Sequence, residues 1–188
     1  MKGYFGIGVE GVSKAVNVGT LFRTAHAFGA SFVFTLRAQY DRREGFLSDT
    51  SDTPRSVPTY HFADVEAFRL PQGCRLVGVE ITDEAIELPS FRHPRQAAYI
   101  LGAEREGLSA GVQSICDYVV KIPTRFSVNL GVAGALIMYD REISLGRHAP
   151  RPVAEGAPTE AVALPLFGEP MYKRKQRARA RAATLAKT

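Results

Sequence analysis

The sequence "AAYILGAEREGLSAGVQSICDYVVKIPTRFSVNLGVAGALIMYD", residues 97–140, contains two strand-loop-helix units in succession. The apolar runs 97–102 and 118–122 have the length and composition of buried strands. A loop follows each run, and helices are predicted from Ser109 and over 129–143. Strands that alternate with helices predict an α/β fold with a parallel sheet and helices on its faces.

The same alternation extends toward the amino terminus. Gly29 is predicted to end the helix at 17–28 as its carboxyl-terminal cap. Residues 37–58 are rich in Ser, Asp and Pro and predict a long loop with at most one helical turn. The remaining predicted elements are strands at 3–11, 31–36, 58–61 and 74–81, and helices at 17–28 and 63–69.

Length and composition describe one soluble domain. The chain has 188 residues, of which 45% are hydrophobic and 23% charged, as in globular proteins. Because no apolar run could span a bilayer and the start has no signal-peptide pattern, we expect a cytoplasmic protein without a membrane segment. Cys74 and Cys116 are isolated, which favours reduced structural thiols, and the four histidines lack ligand spacing, so no metal site is predicted.

Basic charge is concentrated at the carboxyl end. The last 18 residues contain seven of the 24 Lys and Arg and no acid, whereas the other 170 carry 17 basic and 19 acidic groups. We therefore divide the chain into a domain at 1–148 and a Pro-rich extension with a basic tail at 149–188. Such a tail is typical of an arm that binds RNA phosphates, and the alternative is a solvated end that aids solubility.

One apparent motif is rejected. Gly6, Gly8 and Gly11 satisfy the glycine pattern of dinucleotide-binding proteins. That pattern needs a complete strand before it, a helix that opens at its last glycine, and an acid about 20 residues later. Ser31 stands at that last position, and the helix starts later, which argues against a nicotinamide-dependent oxidoreductase.

The helix at 17–28 carries an arginine away from its apolar face. At about 100° per residue, the apolar residues fall within one arc of the helix, which is the predicted core face. Arg23 lies on the opposite side, between Gly19 and Ala27. The small neighbours would let a ligand or a partner subunit approach, although a lone arginine is also compatible with an ordinary surface charge. The predicted core face comprises Val18, Leu21, Phe22, Ala25 and Phe28.

Two loops follow strands and precede helices. Gly102 and Gly107 border an acidic loop that contains Glu104, and glycines there permit close approach of the backbone to a bound group. The second loop ends at Ser127 and Asn129, which could equally be helix caps. The helix after it is apolar or small nearly all round, so it must be buried in the core or against a second subunit.

Together these segments resemble the three motifs of the SpoU/TrmH branch of the SPOUT superfamily of RNA methyltransferases. The motifs are matched in the family's order over residues 4–143. The first, N-x-G-x-x-x-R, is matched by Asn17, Gly19 and Arg23; the second, G-x-E-x-x-G-L, by Gly102, Glu104, Gly107 and Leu108; and the third by Ile122, Pro123, Ser127 and Asn129.

The resemblance implies a parallel α/β sheet with a carboxyl-terminal trefoil knot, the SPOUT fold, in a homodimer. It implies S-adenosylmethionine as cofactor and methylation of RNA (tRNA or rRNA), typically at a ribose 2′-hydroxyl. The implied cofactor contacts are Val79, Gly102, Gly107, Ile122, Ser127 and Val128, and the implied catalytic set is Arg23, Asn17, Glu104, Ser127 and Asn129.

Arginine suits this chemistry because it stays cationic and holds phosphate and ribose oxygens with a fork of donors. We therefore assign Arg23 to positioning and charge stabilisation rather than to proton abstraction. The third motif departs from the family: Thr124, Arg125 and Phe126 fill a shortened loop, and Gly131 stands where serine is frequent. A non-catalytic RNA-binding protein on a degenerate fold of this kind is the alternative hypothesis.

Overall fold

The computed structural model describes residues 3–39, 53–103, 106–146, 148, 151–152 and 154–156. In this part of the chain, seven strands form a single sheet in which every pairing is parallel. The strands are β1 (Tyr4–Glu10), β2 (Phe32–Leu36), β3 (Thr59–Phe62), β4 (Arg75–Val79), β5 (Ile86–Glu87), β6 (Gln96–Leu101) and β7 (Tyr118–Lys121). The helices are α1 (Ala15–Phe28), α2 (Thr53–Ser56), α3 (Ala110–Ile115) and α4 (Leu130–Leu145), with a 3-10 turn at Leu88–Ser90.

The strand order is β3-β2-β1-β6-β4-β7-β5, so the predicted parallel sheet is confirmed. Residues Met1–Gly146 form one compact unit and Arg147–Thr188 a second. No helix in the described ranges is both long and apolar enough to cross a membrane. The basic tail and most of the 37–58 loop lie outside the described residues.

Side-chain alternation along the strands builds a core on each face of the sheet. Tyr99 of β6 belongs to the cluster under α1 and α4, whereas its neighbours Ala98 and Ile100 belong to the cluster under α3. This period of two is what a sheet covered on both faces requires.

The glycines of the rejected dinucleotide pattern have a packing role. A Cβ at Gly6 would collide with the ring of Phe32, and one at Gly8 with the ring of Phe34. Both phenylalanines are buried on β2, next to β1. The pattern therefore makes room for two aromatic rings on one face of the sheet.

Helix α1 packs against α4 through glycines. A Cβ on Gly134 would collide with Leu21, and one on Gly131 would lie 2.7 Å from the Cγ2 of Thr20. These two glycines therefore admit a neighbouring helix, and that neighbour is α1 of the same chain. The predicted core face of α1 is buried, except that Phe28 is half-buried at the edge of the cluster.

Three local predictions need correction. Helix α1 begins at Ala15 and not at position 17, with Lys14 in extended backbone before it, so Asn17 lies inside the first turn. Residues 63–69 form a turn instead of a helix, since the Asp64 carboxylate accepts the N–H of Ala67 at 2.7 Å and closes a local loop. Strand β5 was not predicted, because two residues are too short to show alternation.

The two cysteines are free thiols, as predicted. Burial raises the pKa of both, that of Cys116 to about 11. Both thiols are therefore protonated at neutral pH and poor nucleophiles.

The buried side chain of His93 links α4 to β6 through hydrogen bonds. Nε2 of His93 lies 2.8 Å from a carboxylate oxygen of Asp140, and Nδ1 lies 2.6 Å from the hydroxyl of Tyr99. Burial lowers the pKa of His93, although Asp140 opposes this shift, and burial raises the pKa of Tyr99 to about 12. The neutral imidazole can donate to Asp140 and accept from Tyr99, which satisfies all three groups.

Acid is therefore expected to destabilise the fold through His93. Because the folded pKa lies below the unfolded value of about 6.5, the unfolded chain binds the proton more tightly, and stability is lost as the pH falls below that value. The Tm should fall more between pH 7.5 and 5.5 in the wild type than in His93→Gln, whose amide can also donate to Asp140. Equal slopes in scanning calorimetry would contradict this role.

Candidate functional site

A cavity of about 320 Å³ opens at the carboxyl edge of the sheet. It lies where β6, β4 and β7, three neighbouring strands, end. Open α/β sheets bind ligands at this edge. The cavity is lined by Val79, Glu80, Ile81, Leu101, Gly102, Ala103, Glu106, Gly107, Lys121, Ile122, Thr124, Ser127, Val128, Leu130 and Ala133.

All six residues expected to contact a cofactor lie in this lining. They come from three separate segments of the chain, which the sheet order brings side by side. The lining is apolar on the side of β7 and α4, where Ile122, Val128 and Leu130 contribute, and polar near the end of β4.

The loop after β6 folds back on itself. Ala103 and Gly107 form an antiparallel bridge, and the Gly107 N–H donates to the Ala103 carbonyl at 2.9 Å. Gly107 has a φ of 66°, and a Cβ on Gly102 would collide with the backbone of Gly107. Gly102 is therefore required by the closure of the loop itself, which differs from the expectation that it makes room for a ligand.

Sequence reasoning missed Glu80, which holds this loop in place. Its carboxylate accepts the N–H of Leu108 at 2.6 Å and that of Ile81 at 2.9 Å. Glu80 directly follows β4, so an acidic residue after an apolar strand was the available signal.

Glu10, at the end of β1, was missed in the same way. It is 1% exposed, and its carboxylate accepts from the N–H and the hydroxyl of Ser109 at 2.8 and 2.6 Å and from the guanidinium of Arg37. Ser109 also caps α3, since its hydroxyl oxygen accepts the N–H of Val112. Glu10 thus fixes the end of the loop that starts at Gly102.

The cavity lining contains more acid than base among the described residues. Glu80 and Glu106 contribute carboxylates, and Lys121 the one ammonium. That ammonium is directed toward backbone, since Nζ donates to the carbonyls of Thr82 and Asp83 at 3.1 and 3.3 Å. This distribution suits a ligand that carries positive charge.

The expected catalytic residues occupy several places. Ser127 is exposed in the cavity lining and does not cap α4. Asn129 is the cap, since its side chain accepts the N–H of Gly131 at 2.9 Å, and its amide lies 3.4 Å from the Asn17 Oδ1. Arg23 is exposed on α1, away from the core face as predicted, and is not in the cavity lining of its own chain. Glu104 lies outside the described residues.

A second hollow, of about 450 Å³, lies between α1 and α4. The outer side of α4 beside it is apolar and exposed. We call this surface the α1–α4 face; it comprises Val16, Thr20, Thr24, Val132, Leu136, Tyr139 and Ile143.

Comparison with known proteins supports a relationship over the same residues. The model of the SpoU rRNA Methylase family matches residues 5–139. A tRNA (guanosine(18)-2′-O)-methyltransferase of Mus musculus is 30% identical in an alignment of 145 residues that covers 72% of this chain and 9% of that protein. The enzyme of the same name from Escherichia coli K12 is 26% identical in an alignment of 139 residues that covers 71% of this chain and 61% of that protein.

A solved structure shares the fold. An AdoMet-bound rRNA methyltransferase from Sinorhizobium meliloti superposes with a TM-score of 0.68 at 19% identity, over 77% of this chain and 58% of that one. The chain spans less than two thirds of the length of each of these relatives. The family match covers β1 through most of α4 and includes all three sequence motifs, so the chain belongs to the SpoU rRNA methylase family.

Proposed function

We propose that the protein is an S-adenosylmethionine-dependent RNA methyltransferase that modifies a ribose 2′-hydroxyl of tRNA or rRNA. The observation that carries this proposal is the cavity at the ends of β4, β6 and β7, which gathers every residue expected to contact the cofactor. The activities of the relatives, guanosine 2′-O-methylation of tRNA among them, point the same way.

The residues present fit S-adenosylmethionine. The volume is within the usual range for small-molecule sites. The apolar side suits an adenine ring, and the carboxylates of Glu80 and Glu106 suit the positive charges of a sulfonium and an ammonium. When bound, the cofactor supplies a methyl group activated by its sulfonium.

The chain's own residues would bind and orient the reactants. The loop held by Glu80, together with Ile122, Ser127 and Val128, would fix the cofactor's position. Arg23 would hold the ribose and phosphate oxygens of the RNA and stabilise the charge that develops on the attacking oxygen. Ser127, in the lining, and Asn129, at the start of α4, would orient RNA or cofactor.

Titration calorimetry with S-adenosylmethionine tests this proposal. Binding in the micromolar range with one site per chain supports it. A protein that binds RNA but not the cofactor would instead be the non-catalytic relative.

Replacing Gly102 with alanine should abolish this binding. The added Cβ collides with the Gly107 backbone, so the loop that forms one wall must open. The matched control is Gly111→Ala in α3, where a Cβ would meet its nearest neighbours at 3.8 and 3.9 Å; alanine there should stabilise the helix by up to about 1 kcal/mol and leave binding unchanged. Equal cofactor affinity in the two variants would show that the loop does not form the site.

We also propose that the protein is a homodimer that pairs through the α1–α4 face. The exposed positions Val132, Leu136, Tyr139 and Ile143 form one stripe on α4, which water would otherwise cover at a cost in free energy. Because Arg23 is on α1 and outside the cavity of its own chain, a partner would allow it to serve the partner's cavity.

Sedimentation can test the dimer. Leu136→Arg should place a charge at the centre of the face and yield monomers, whereas Ile115→Arg, on an exposed α3 position outside the face, should remain dimeric. A wild-type protein that sediments as a monomer at micromolar concentration would contradict this arrangement.

A trefoil knot in the carboxyl-terminal part is a further component of the proposal. Val79 of β4 and Ile86 of β5 both pair with Val120 of β7, on opposite sides. The connection 80–85 must therefore cross β7, as a threaded chain requires.

We also propose that the basic tail acts as an RNA arm, which its seven Lys and Arg support.

A further inference from the structure

Phe126 is unusually exposed for a large apolar side chain. Its relative exposure is 77%, higher than that of any other large hydrophobic residue in the described ranges. Single exposed apolar residues are common on protein surfaces, so exposure alone assigns no role. The position of Phe126 in the chain does.

Phe126 lies in the loop at the mouth of the cavity. Thr124 and Ser127, on either side of it, both line the cavity, whereas Phe126 does not. The loop is internally bonded: the Thr124 N–H donates to the Ile122 carbonyl at 2.7 Å, and the Thr124 hydroxyl donates to the Phe126 carbonyl at 2.9 Å. The ring is therefore carried at the rim by an ordered loop.

Arg125 adds a cation beside the ring. Its side chain is exposed, and no ion pair joins it to any residue in the part of the chain that the structure describes. Aromatic rings that stack on bases, together with cations that bind phosphates, are the usual means of holding single-stranded RNA.

A ribose hydroxyl must reach a methyl group inside the cavity, and an unpaired nucleotide enters most readily because its base can be splayed out of the stack. An exposed ring at the rim can replace the stacking that the base loses. An RNA duplex, whose bases stay stacked, offers no face to that ring.

We propose that Phe126 stacks on an unpaired base of the RNA and that Arg125 binds an adjacent phosphate, so that the enzyme selects single-stranded nucleotides. This inference rests on the proposed function and names the structural class of its substrate.

The sequence contains no tryptophan, which permits a direct test. In Phe126→Trp the new indole should be quenched by a single-stranded 12-nucleotide RNA and much less by the same strand annealed to its complement. The matched control is Ile115→Trp, at an exposed position on the opposite end of α3 from the cavity. This variant also retains the basic tail, and its indole should show no quenching.

In the otherwise native chain, Phe126→Ala should weaken binding of the single strand roughly 5- to 100-fold and raise the KM for RNA, with unchanged affinity for S-adenosylmethionine. Phe126→Tyr should restore both values. Equal quenching by single strand and duplex, or at position 115, would overturn the inference. An indole emission that shifts with protein concentration but does not change on addition of RNA would also overturn it, because that result indicates a contact with a partner subunit.

Failure of this inference is distinguishable from failure of the proposed function. Cofactor binding and methyl transfer by the wild type without quenching at position 126 would reject only the stacking role. Absence of cofactor binding would reject the proposed methyltransferase, whatever the fluorescence shows.

Discussion

Replacing Arg23 with alanine should lower the rate of methyl transfer roughly 100- to 1,000-fold, the range seen when one donor to a developing oxyanion is removed. Arg23 is exposed on α1 and outside the core, so the fold should persist. The cavity does not include Arg23, so titration with S-adenosylmethionine should give the wild-type affinity. The loss should therefore appear in kcat and not in cofactor binding.

Two further variants separate charge from geometry. Arg23→Lys keeps the positive charge but loses the planar fork of donors, and should recover only part of the rate. Lys14→Ala removes another exposed cation at the start of the same helix and should leave kcat unchanged. Full activity of Arg23→Ala on its RNA would show that the arginine is a surface charge.

The second large effect is on stability. Arg141→Met should lower the free energy of unfolding by about 3 to 5 kcal/mol, because several buried acceptors lose a charged donor at once. Arg141 is 5% exposed, and its guanidinium donates to the carbonyls of Pro94, Tyr4 and Arg95 at 2.6, 3.2 and 2.8 Å. It also donates to the Tyr99 hydroxyl at 3.2 Å. Methionine can fill the volume but removes the guanidinium donor from each of these bonds.

Denaturation by urea measures this effect, with Arg75→Met as the matched control. Arg75 forms an ion pair with Asp117 at 2.6 Å, but its side chain is 59% exposed, so solvent screens the pair. The control should be barely distinguishable from the wild type. Similar losses in both variants would contradict the role of Arg141 in tying α4 to the starts of β1 and β6.

Periodicity and family motifs together predicted much of this molecule. The parallel sheet follows from alternating strands and helices, and the cavity residues follow from motifs at strand ends. The role of Gly102 could not be predicted from periodicity or motifs, because it depends on the close approach of Gly102 to Gly107 within one loop. Glu80 and Glu10 were missed for a related reason: each is an ordinary acid in sequence, and only the sheet order brings it to the backbone that it holds.

Helix boundaries show a similar limit. Asn17 and Asn129 both have residue types that cap helices, but only Asn129 does so, because Lys14 already provides the extended residue before α1. The structural roles of His93 and Arg141 could not be predicted from the sequence, because several of their hydrogen-bond partners lie more than 40 positions away along the chain.

The most direct test of the central claim is mass spectrometry of nucleosides from RNA incubated with the protein and S-adenosylmethionine that carries a deuterated methyl group. Total tRNA and rRNA from a strain that lacks the protein provide unmodified substrate. We predict a nucleoside labelled with deuterium on the ribose 2′-oxygen, and an initial rate of labelling roughly 100- to 1,000-fold lower with Arg23→Ala. Absence of label with the wild type, or label found only on a base, would contradict the proposed ribose methylation.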